Sequence, residues 1–120
     1  LDRKPNELSG GQQQRISLIR ALMLDPEIIV LDEPLGSIDP LVRYELQTDL
    51  KSIFSKLHKT VLLVTHDLGE AAFLGDEIIL MKDGNIEQKG SIKQILKEPA
   101  NAFVERFVNA QRSPLSELEL

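Results

Sequence analysis

The sequence predicts an α/β fold in which helices flank parallel strands and a hairpin with short helices follows. Two short apolar runs, residues 28–31 and 60–65, are rich in branched side chains and have the composition of parallel strands buried on both faces. Each run is followed by helix-start signals, which gives the strand and helix alternation of α/β proteins. The dipeptide Asp83-Gly84 favours a tight turn, so the last strands are expected to pair antiparallel.

The first helix is expected to begin at Ser9 and to end near Leu24. Gln12 stands three positions after Ser9, as in a capping box, and apolar residues then recur at helical spacing. Pro26 ends this helix because proline cannot donate a backbone hydrogen bond and restricts the residue before it. The recurring apolar residues are Ile16, Ile19, Leu22 and Met23.

The second helix should be capped by Asp39, should have Pro40 as its first residue and should close near His58. Its apolar residues form one stripe that predicts a buried face. They are Leu46, Leu50, Ile53, Phe54 and Leu57. The second predicted strand, residues 60–65, follows directly.

The third helix is expected to run to Gly75, with Asp67 and Glu70 at its capped start. Residues 77–82 and 85–89 are expected to form the two strands of the hairpin.

Ser91 and Asn101 are positioned to cap two short terminal helices. Residues 111–120 show no clear packing face and are expected to form a flexible tail. The sequence therefore predicts one domain over residues 1–110.

The composition limits the class of protein. A chain of 120 residues that is 42% hydrophobic can form one modest core. The absence of cysteine excludes a disulfide framework, and the absence of an apolar run near 18 residues excludes a membrane-spanning helix. A net charge of −5 offers no basic face, so nucleic acid is not expected as a partner. These features predict a cytoplasmic protein.

Ser9, Gly10 and Gly11 stand at the predicted start of the first helix. Unpaired backbone N–H groups and the helix dipole make such a position suitable for an anion, and small residues let a phosphate approach closely. Taken alone, the three residues are more often an N-cap and a turn. Their wider context decides between the two interpretations.

Asp32 and Glu33 follow the first predicted strand, and ligands bind at the carboxyl ends of strands in open α/β sheets. Two adjacent carboxylates there can divide two tasks, metal binding and activation of water. The alternative is a solvated acidic pair in a turn before Pro34.

The motif context resolves both alternatives towards function. Residues 8–15, LSGGQQQR, resemble the signature sequence of the ABC ATPases, and residues 28–34, IIVLDEP, resemble a Walker B strand. No glycine opens a G-x-x-x-x-G-K-[ST] phosphate loop. The chain thus resembles the C-terminal part of a P-loop NTPase of the ABC class, and we expect a truncated start, since the first residue is Leu1.

The resemblance implies ATP and Mg²⁺ as cofactors and assigns roles to three residues of the chain's own site. Asp32 would hold Mg²⁺, and Glu33 would orient or deprotonate the attacking water. His66, which follows the second strand, would contact the γ-phosphate and help position that water. A histidine at a strand end is, without this context, more often a polar surface residue.

The resemblance also implies a dimer. Ser9, Gly10, Gly11 and Gln12 would close on the γ-phosphate held by a second ATPase subunit. Asp39 lies in a segment, residues 36–39, that resembles the loop crossing the dimer interface. Because the phosphate loop is absent, the chain alone is expected not to hydrolyse ATP.

Several segments resemble the osmoprotectant branch of importers, which serves glycine betaine, choline or carnitine uptake. They are residues 41–47, 66–73 and 99–101, whereas the hairpin residues 82–86 are typical of importer ATPases in general. The resemblance implies transmembrane permease subunits as partners and a peripheral location on the inner face of the cell membrane. In that architecture the transported molecule does not touch this polypeptide.

Two alternatives stay open at the level of sequence. ABC-type ATPases of DNA repair or translation carry similar motifs, although they usually add coiled coils or basic surfaces that are not evident here. The chain could also be a remnant or accessory fragment without catalytic activity. Strands left without neighbours would expose apolar surface, so the isolated chain is expected to aggregate, swap elements or need a partner.

Overall fold

The computed structural model describes residues 16, 20, 23–36 and 38–111. The chain divides into two compact units, one ending at His66 and the other beginning at Asp67. The elements, in chain order, are β1 (Ile28–Asp32), α1 (Pro40–Lys56), β2 (Thr60–Val64), α2 (Leu68–Leu74), β3 (Ile78–Lys82), β4 (Asn85–Gly90), α3 (Ile92–Lys97) and α4 (Ala102–Gln111). The predicted α/β class, with parallel strands, helices and a later hairpin, is confirmed.

Ahead of β1, the first unit contains helical residues. Ile16, Arg20 and Met23 are helical and Leu24 lies in a turn, so the predicted end of the first helix near Leu24 is confirmed. Its predicted start at Ser9 lies outside the described residues.

Strands β1 and β2 form a parallel pair in which Ile28 lies opposite Thr60 and Asp32 lies opposite Val64. Because parallel strands run in the same direction, their carboxyl ends meet at one edge. This register places the residues that follow β1 beside those that follow β2.

The expectation that these strands are buried on both faces is wrong. Ile29 in β1 is only 4% exposed, whereas Ile28 and Val30, which point to the other face, are 63% and 62% exposed. Leu62 and Val64 of β2 are likewise exposed, by 51% and 45%. A parallel sheet is buried on both faces only where a layer packs on each, and within the described part of the chain no such layer covers Ile28, Val30, Leu62 and Val64.

Helix α1 begins and ends close to the predicted positions. Asp39 is its N-cap and Pro40 its first residue, where the missing N–H of proline costs nothing. Leu46 and Leu50 are each 1% exposed and anchor the helix, as the apolar stripe predicts. At the other end the backbone N–H of Leu57 donates to the carbonyl of Ile53 at 3.1 Å. The remaining stripe residues, Ile53, Phe54 and Leu57, are half-buried.

The second unit has its own apolar core, which draws on the hairpin and on α2, α3 and α4. The buried members of the core are Leu68, Ile78, Leu80, Ile95, Val104 and Val108. Helix α2 is capped by Asp67, whose side chain accepts from the N–H of Glu70, and it closes at Gly75. Both caps agree with the sequence prediction.

The predicted hairpin is confirmed as an antiparallel pair of β3 and β4. Asp83 and Gly84 have φ angles of 50° and 80°, the left-handed values that a tight hairpin turn requires. Helix α3 starts in a complete capping box formed by Ser91 and Gln94. The side chain of Asn101 accepts from the N–H of Val104 at 3.0 Å, as expected of the residue before α4.

Helix α4 includes Gln111, the first residue of the segment expected to be a tail. The Gln111 side-chain oxygen accepts from the N–H of Leu68 at 3.0 Å, so this glutamine helps to cap α2. Residues 112–120 lie outside the described part of the chain.

Candidate functional site

The carboxyl edge of the β1–β2 pair carries the three residues predicted to serve the chain's own site. Asp32 is the last residue of β1, and Glu33 continues the ladder, since its N–H donates to the carbonyl of Val64 at 2.8 Å. His66 stands two residues beyond Val64, which ends β2. The parallel register is therefore what brings residues separated by more than thirty positions to one edge.

Glu33 and His66 are in direct contact. Nε2 of His66 lies 3.2 Å from Oε1 of Glu33, within the range of an ion pair when the imidazole is protonated. The His66 side chain is 96% exposed and that of Glu33 is 33% exposed, so the contact lies at the boundary between protein and solvent.

The Oε1 atom of Glu33 is itself buried and makes no hydrogen bond of proper geometry within the described residues. His66 Nε2 and Glu33 Oε1 are therefore close in space, but they are not aligned as donor and acceptor of a hydrogen bond. A buried carboxylate oxygen without a donor is costly in a folded protein. Its lone pairs are not used by any donor among the described residues.

The backbone of Glu33 has a φ angle of 48°, in the left-handed region. Such a conformation costs on the order of 1–3 kcal/mol in a residue other than glycine and occurs in tight turns and at functional sites. No local sequence signal predicts it, because glutamate is not enriched in this region and a residue before proline is expected to be extended.

A tight turn follows Glu33. The N–H of Gly36 donates to the carbonyl of Glu33 at 3.3 Å, so Pro34 and Leu35 are the central residues of a four-residue turn. Both central residues are buried. In the sequence Pro34 stands out as part of the motif and as the residue after a possible acidic turn, whereas no pattern points to Leu35.

Asp32 presents an exposed carboxylate at the end of β1. Across residues 16, 20, 23–36 and 38–111, no cluster of three or more His, Cys, Asp or Glu residues could hold a metal. Mg²⁺ is commonly bound by one or two carboxylates together with waters and substrate phosphates. The single exposed carboxylate of Asp32, which precedes Glu33 in the sequence, fits such a site and does not fit a metal cage built from protein alone.

Asp39 lies apart from this group in the sequence and has a clear structural role. Its Oδ1 accepts from the backbone N–H of Leu41 at 3.0 Å, which caps α1. The predicted role of Asp39 at a dimer interface is not tested by this contact and stays a prediction.

The signature residues predicted to serve a partner's nucleotide are Ser9, Gly10, Gly11 and Gln12. All four lie outside the described residues, so their predicted roles stay predictions. Within the described part of the chain, no helix is long and apolar enough to cross a membrane.

The geometry at the strand ends is suited to positioning water. A carboxylate oxygen that lacks a donor and an imidazole nitrogen 3.2 Å away can together hold and polarise a small polar molecule. The adjacent Asp32 can bind a cation at the same edge. This combination suits hydrolysis of a bond next to a bound metal ion.

Comparisons with known proteins identify the family. The ABC transporter family model matches residues 1–36. The glycine betaine/carnitine/choline transport ATP-binding protein OpuCA of Bacillus subtilis (strain 168) is 50% identical over 112 residues, 93% of this chain and 30% of that protein. The carnitine transport ATP-binding protein OpuCA of Listeria monocytogenes serotype 1/2a (strain 10403S) is also 50% identical over 112 residues, 93% of this chain and 28% of that protein.

A third relative is named for a different substrate. The spermidine/putrescine import ATP-binding protein PotA of Photobacterium profundum is 49% identical over 106 residues, 88% of this chain and 28% of that protein. The chain thus spans less than a third of the length of these relatives. The match at residues 1–36 and the 50% identity to ATP-binding proteins over 93% of the chain show that the chain belongs to the ABC transporter ATP-binding family.

Proposed function

We propose that the chain forms part of the ATP-hydrolysing subunit of an ABC importer, in which Glu33 and His66 act on the attacking water. The observation that carries this proposal is the 3.2 Å approach of His66 Nε2 to the buried, unsatisfied Oε1 of Glu33 at the carboxyl edge of the sheet. Residues 1–110 would belong to the ATPase domain, together with Gln111, which ends the last helix, and residues 112–120 would form its flexible end.

Each residue of the site has a distinct task in this proposal. The Glu33 carboxylate orients the water or accepts its proton, because Oε1 has no competing donor. His66 contacts the γ-phosphate and holds the same water from the exposed side. Asp32 holds Mg²⁺, which when bound stabilises negative charge on the phosphate oxygens.

The site would be completed by a second ATPase subunit. Ser9, Gly10, Gly11 and Gln12 would bind the phosphate held by that partner, since small residues at a helix start suit close approach of an anion. Asp39 would lie at the interface between the two subunits. Transmembrane permease subunits would attach the dimer to the inner face of the cell membrane, and nucleic acid is not expected as a partner.

The cargo proposed for the transporter is a quaternary-amine osmoprotectant. This proposal is supported by relatives named for glycine betaine, carnitine and choline transport. A polyamine importer is the second candidate, because a relative named for spermidine/putrescine import is 49% identical over 106 residues.

A chimaera tests the ATPase proposal directly. The segment of B. subtilis OpuCA that aligns with this chain is replaced by the corresponding residues of the chain, and the chimaera is expressed in cells lacking OpuCA. Uptake of labelled carnitine, one of the substrates in the name of OpuCA, is expected to return. The substitution Glu33→Gln should then lower uptake by roughly a hundredfold or more, because general-base groups typically contribute factors of 10²–10⁴.

The matched control is Glu45→Gln, an exposed glutamate on α1 outside the site. It should leave uptake unchanged at equal protein level. Wild-type uptake in the Glu33→Gln chimaera would rule out the proposed role of Glu33.

A second chimaera, with the same segment placed in P. profundum PotA, tests the proposed cargo. If the cargo is an osmoprotectant, the segment should support more uptake in the OpuCA chimaera than in the PotA chimaera.

A further inference from the structure

Leu35 is the most deeply buried residue near the candidate catalytic pair. It is 0% exposed, although it sits between Glu33, which is half-buried, and Gly36, which is exposed. A central residue of a surface turn is usually solvated. The complete burial of the Leu35 side chain therefore anchors the backbone of the turn.

The turn holds Glu33 on both sides. The Glu33 N–H is tied to Val64 at 2.8 Å, and its carbonyl accepts from the N–H of Gly36 at 3.3 Å. The side chain is also close to the turn, since a methyl group placed on Gly36 would lie 3.7 Å from Glu33 Oε2. One carboxylate oxygen thus lies beside Gly36, while the other faces His66.

The left-handed φ angle of Glu33 is energetically unfavourable, so the turn needs other interactions to maintain it. A glutamate released from its hydrogen bonds would return to the extended or right-handed region, which its Cβ favours. That change would swing the side chain away from His66. Something must oppose it, and Pro34 cannot, because a proline drives the residue before it towards the extended region.

We propose that Leu35 is a positioning residue for Glu33: its buried side chain anchors the turn that keeps the Glu33 backbone left-handed and Oε1 within 3.2 Å of His66 Nε2. This inference rests on the proposed function only for its catalytic consequence. The geometric part stands on the burial of Leu35 and on the hydrogen bonds of the Glu33 backbone to Val64 and Gly36.

The geometric test uses NMR on the 120-residue chain and needs no nucleotide. An intraresidue NOE between the amide and α protons is strong when φ is positive, so it reports the Glu33 backbone directly. A second readout is the change in the His66 ring signals on Glu33→Gln. Leu35→Ala is expected to weaken the NOE and to reduce that ring response by more than half.

Leu46→Ala is the matched control, because Leu46 is a fully buried leucine of the same unit and loses the same atoms. It should leave both readouts unchanged. Leu35→Met, which keeps the side-chain volume, should restore them. A Leu35→Ala chain that keeps the strong NOE and the full ring response would overturn the proposal.

The catalytic test uses the purified OpuCA chimaera and remains readable if the NMR signals of the short chain are too broad. Leu35→Ala should lower kcat by roughly ten- to hundredfold at nearly constant KM for ATP, the effect of a misplaced catalytic group. Leu35→Met should recover most of it. Equal kcat losses in Leu35→Ala and Leu46→Ala would show a merely structural role and refute the inference.

The two proposals fail in different ways. If Glu33→Gln leaves chimaera uptake intact, the proposed function is wrong, whereas the NOE and the His66 response can still show that Leu35 controls the turn. If those two readouts survive Leu35→Ala while Glu33→Gln abolishes uptake, only the positioning role is wrong.

Discussion

Glu33 shows how a single residue can be unfavourable for stability and suited to function. Its φ angle of 48° and its buried Oε1 without a hydrogen bond both raise the free energy of the folded chain. Neither feature helps the strands to pair. Both are accounted for if the carboxylate must stay fixed and available to a ligand.

Backbone strain at Glu33 can be measured by comparing two substitutions that remove the same carboxylate. Glu33→Gly should be more stable than Glu33→Ala by about 1 kcal/mol, because glycine adopts a left-handed φ without the steric cost that a Cβ brings. The measurement is urea unfolding of the 120-residue chain, followed by NMR signals of β1 and β2.

Glu27 provides the control for this comparison, since it is exposed and has no positive φ angle. At that position glycine should be less stable than alanine, because only the entropy of the unfolded chain differs. The same order of stability at positions 27 and 33 would contradict the idea of strain at Glu33.

At the scale of the elements, local signals predicted most of what the structure contains. Asp39 with Pro40, Asp67 before α2 and Ser91 before α3 each cap the helix that they were expected to cap. These features depend on a few neighbouring residues, so a sequence can reveal them. The distance between Glu33 and His66 depends on strand register, and the left-handed backbone depends on the turn that follows. Neither is encoded locally.

The capping box of α3 gives a test at this scale. A Cβ placed on Gly90 would lie 2.5 Å from Oε1 of Gln94, the oxygen that accepts from the N–H of Ser91. Gly90→Ala should therefore displace Gln94, break the box and destabilise the second unit by about 1 kcal/mol. Urea unfolding followed by signals of β4 and α3 measures this loss.

A double-mutant cycle separates the collision between residue 90 and Gln94 from the other effects of placing alanine in a strand. In a Gln94→Ala background the side chain that collides is gone, so Gly90→Ala should cost much less. Equal costs in the two backgrounds would show that Gln94 is not the reason.

At the scale of the whole molecule, the uncovered face of the β1–β2 pair is the main departure from the sequence-based expectation. Both strands have the apolar composition of a sheet with two covered faces, yet Val30 and Leu62 are 62% and 51% exposed. The two residues are partners in the strand register and point to the same face. Exposed apolar surface of this kind is a common source of self-association.

The isolated chain is therefore expected to self-associate through this face. Replacing both Val30 and Leu62 by threonine makes this face more polar, and threonine, like valine, is favoured in strands. The molecular mass measured by light scattering should then fall towards that of the monomer. Replacing Leu41 and Tyr44 of α1 by glutamine is the matched control, because these residues are 68% and 67% exposed on a helix. If association depended only on total exposed apolar surface, both double variants would reduce it equally. Because a sheet face offers a flat surface to a second sheet or helix, we expect the threonine variant alone to become monomeric. Equal masses for the two variants would contradict this expectation.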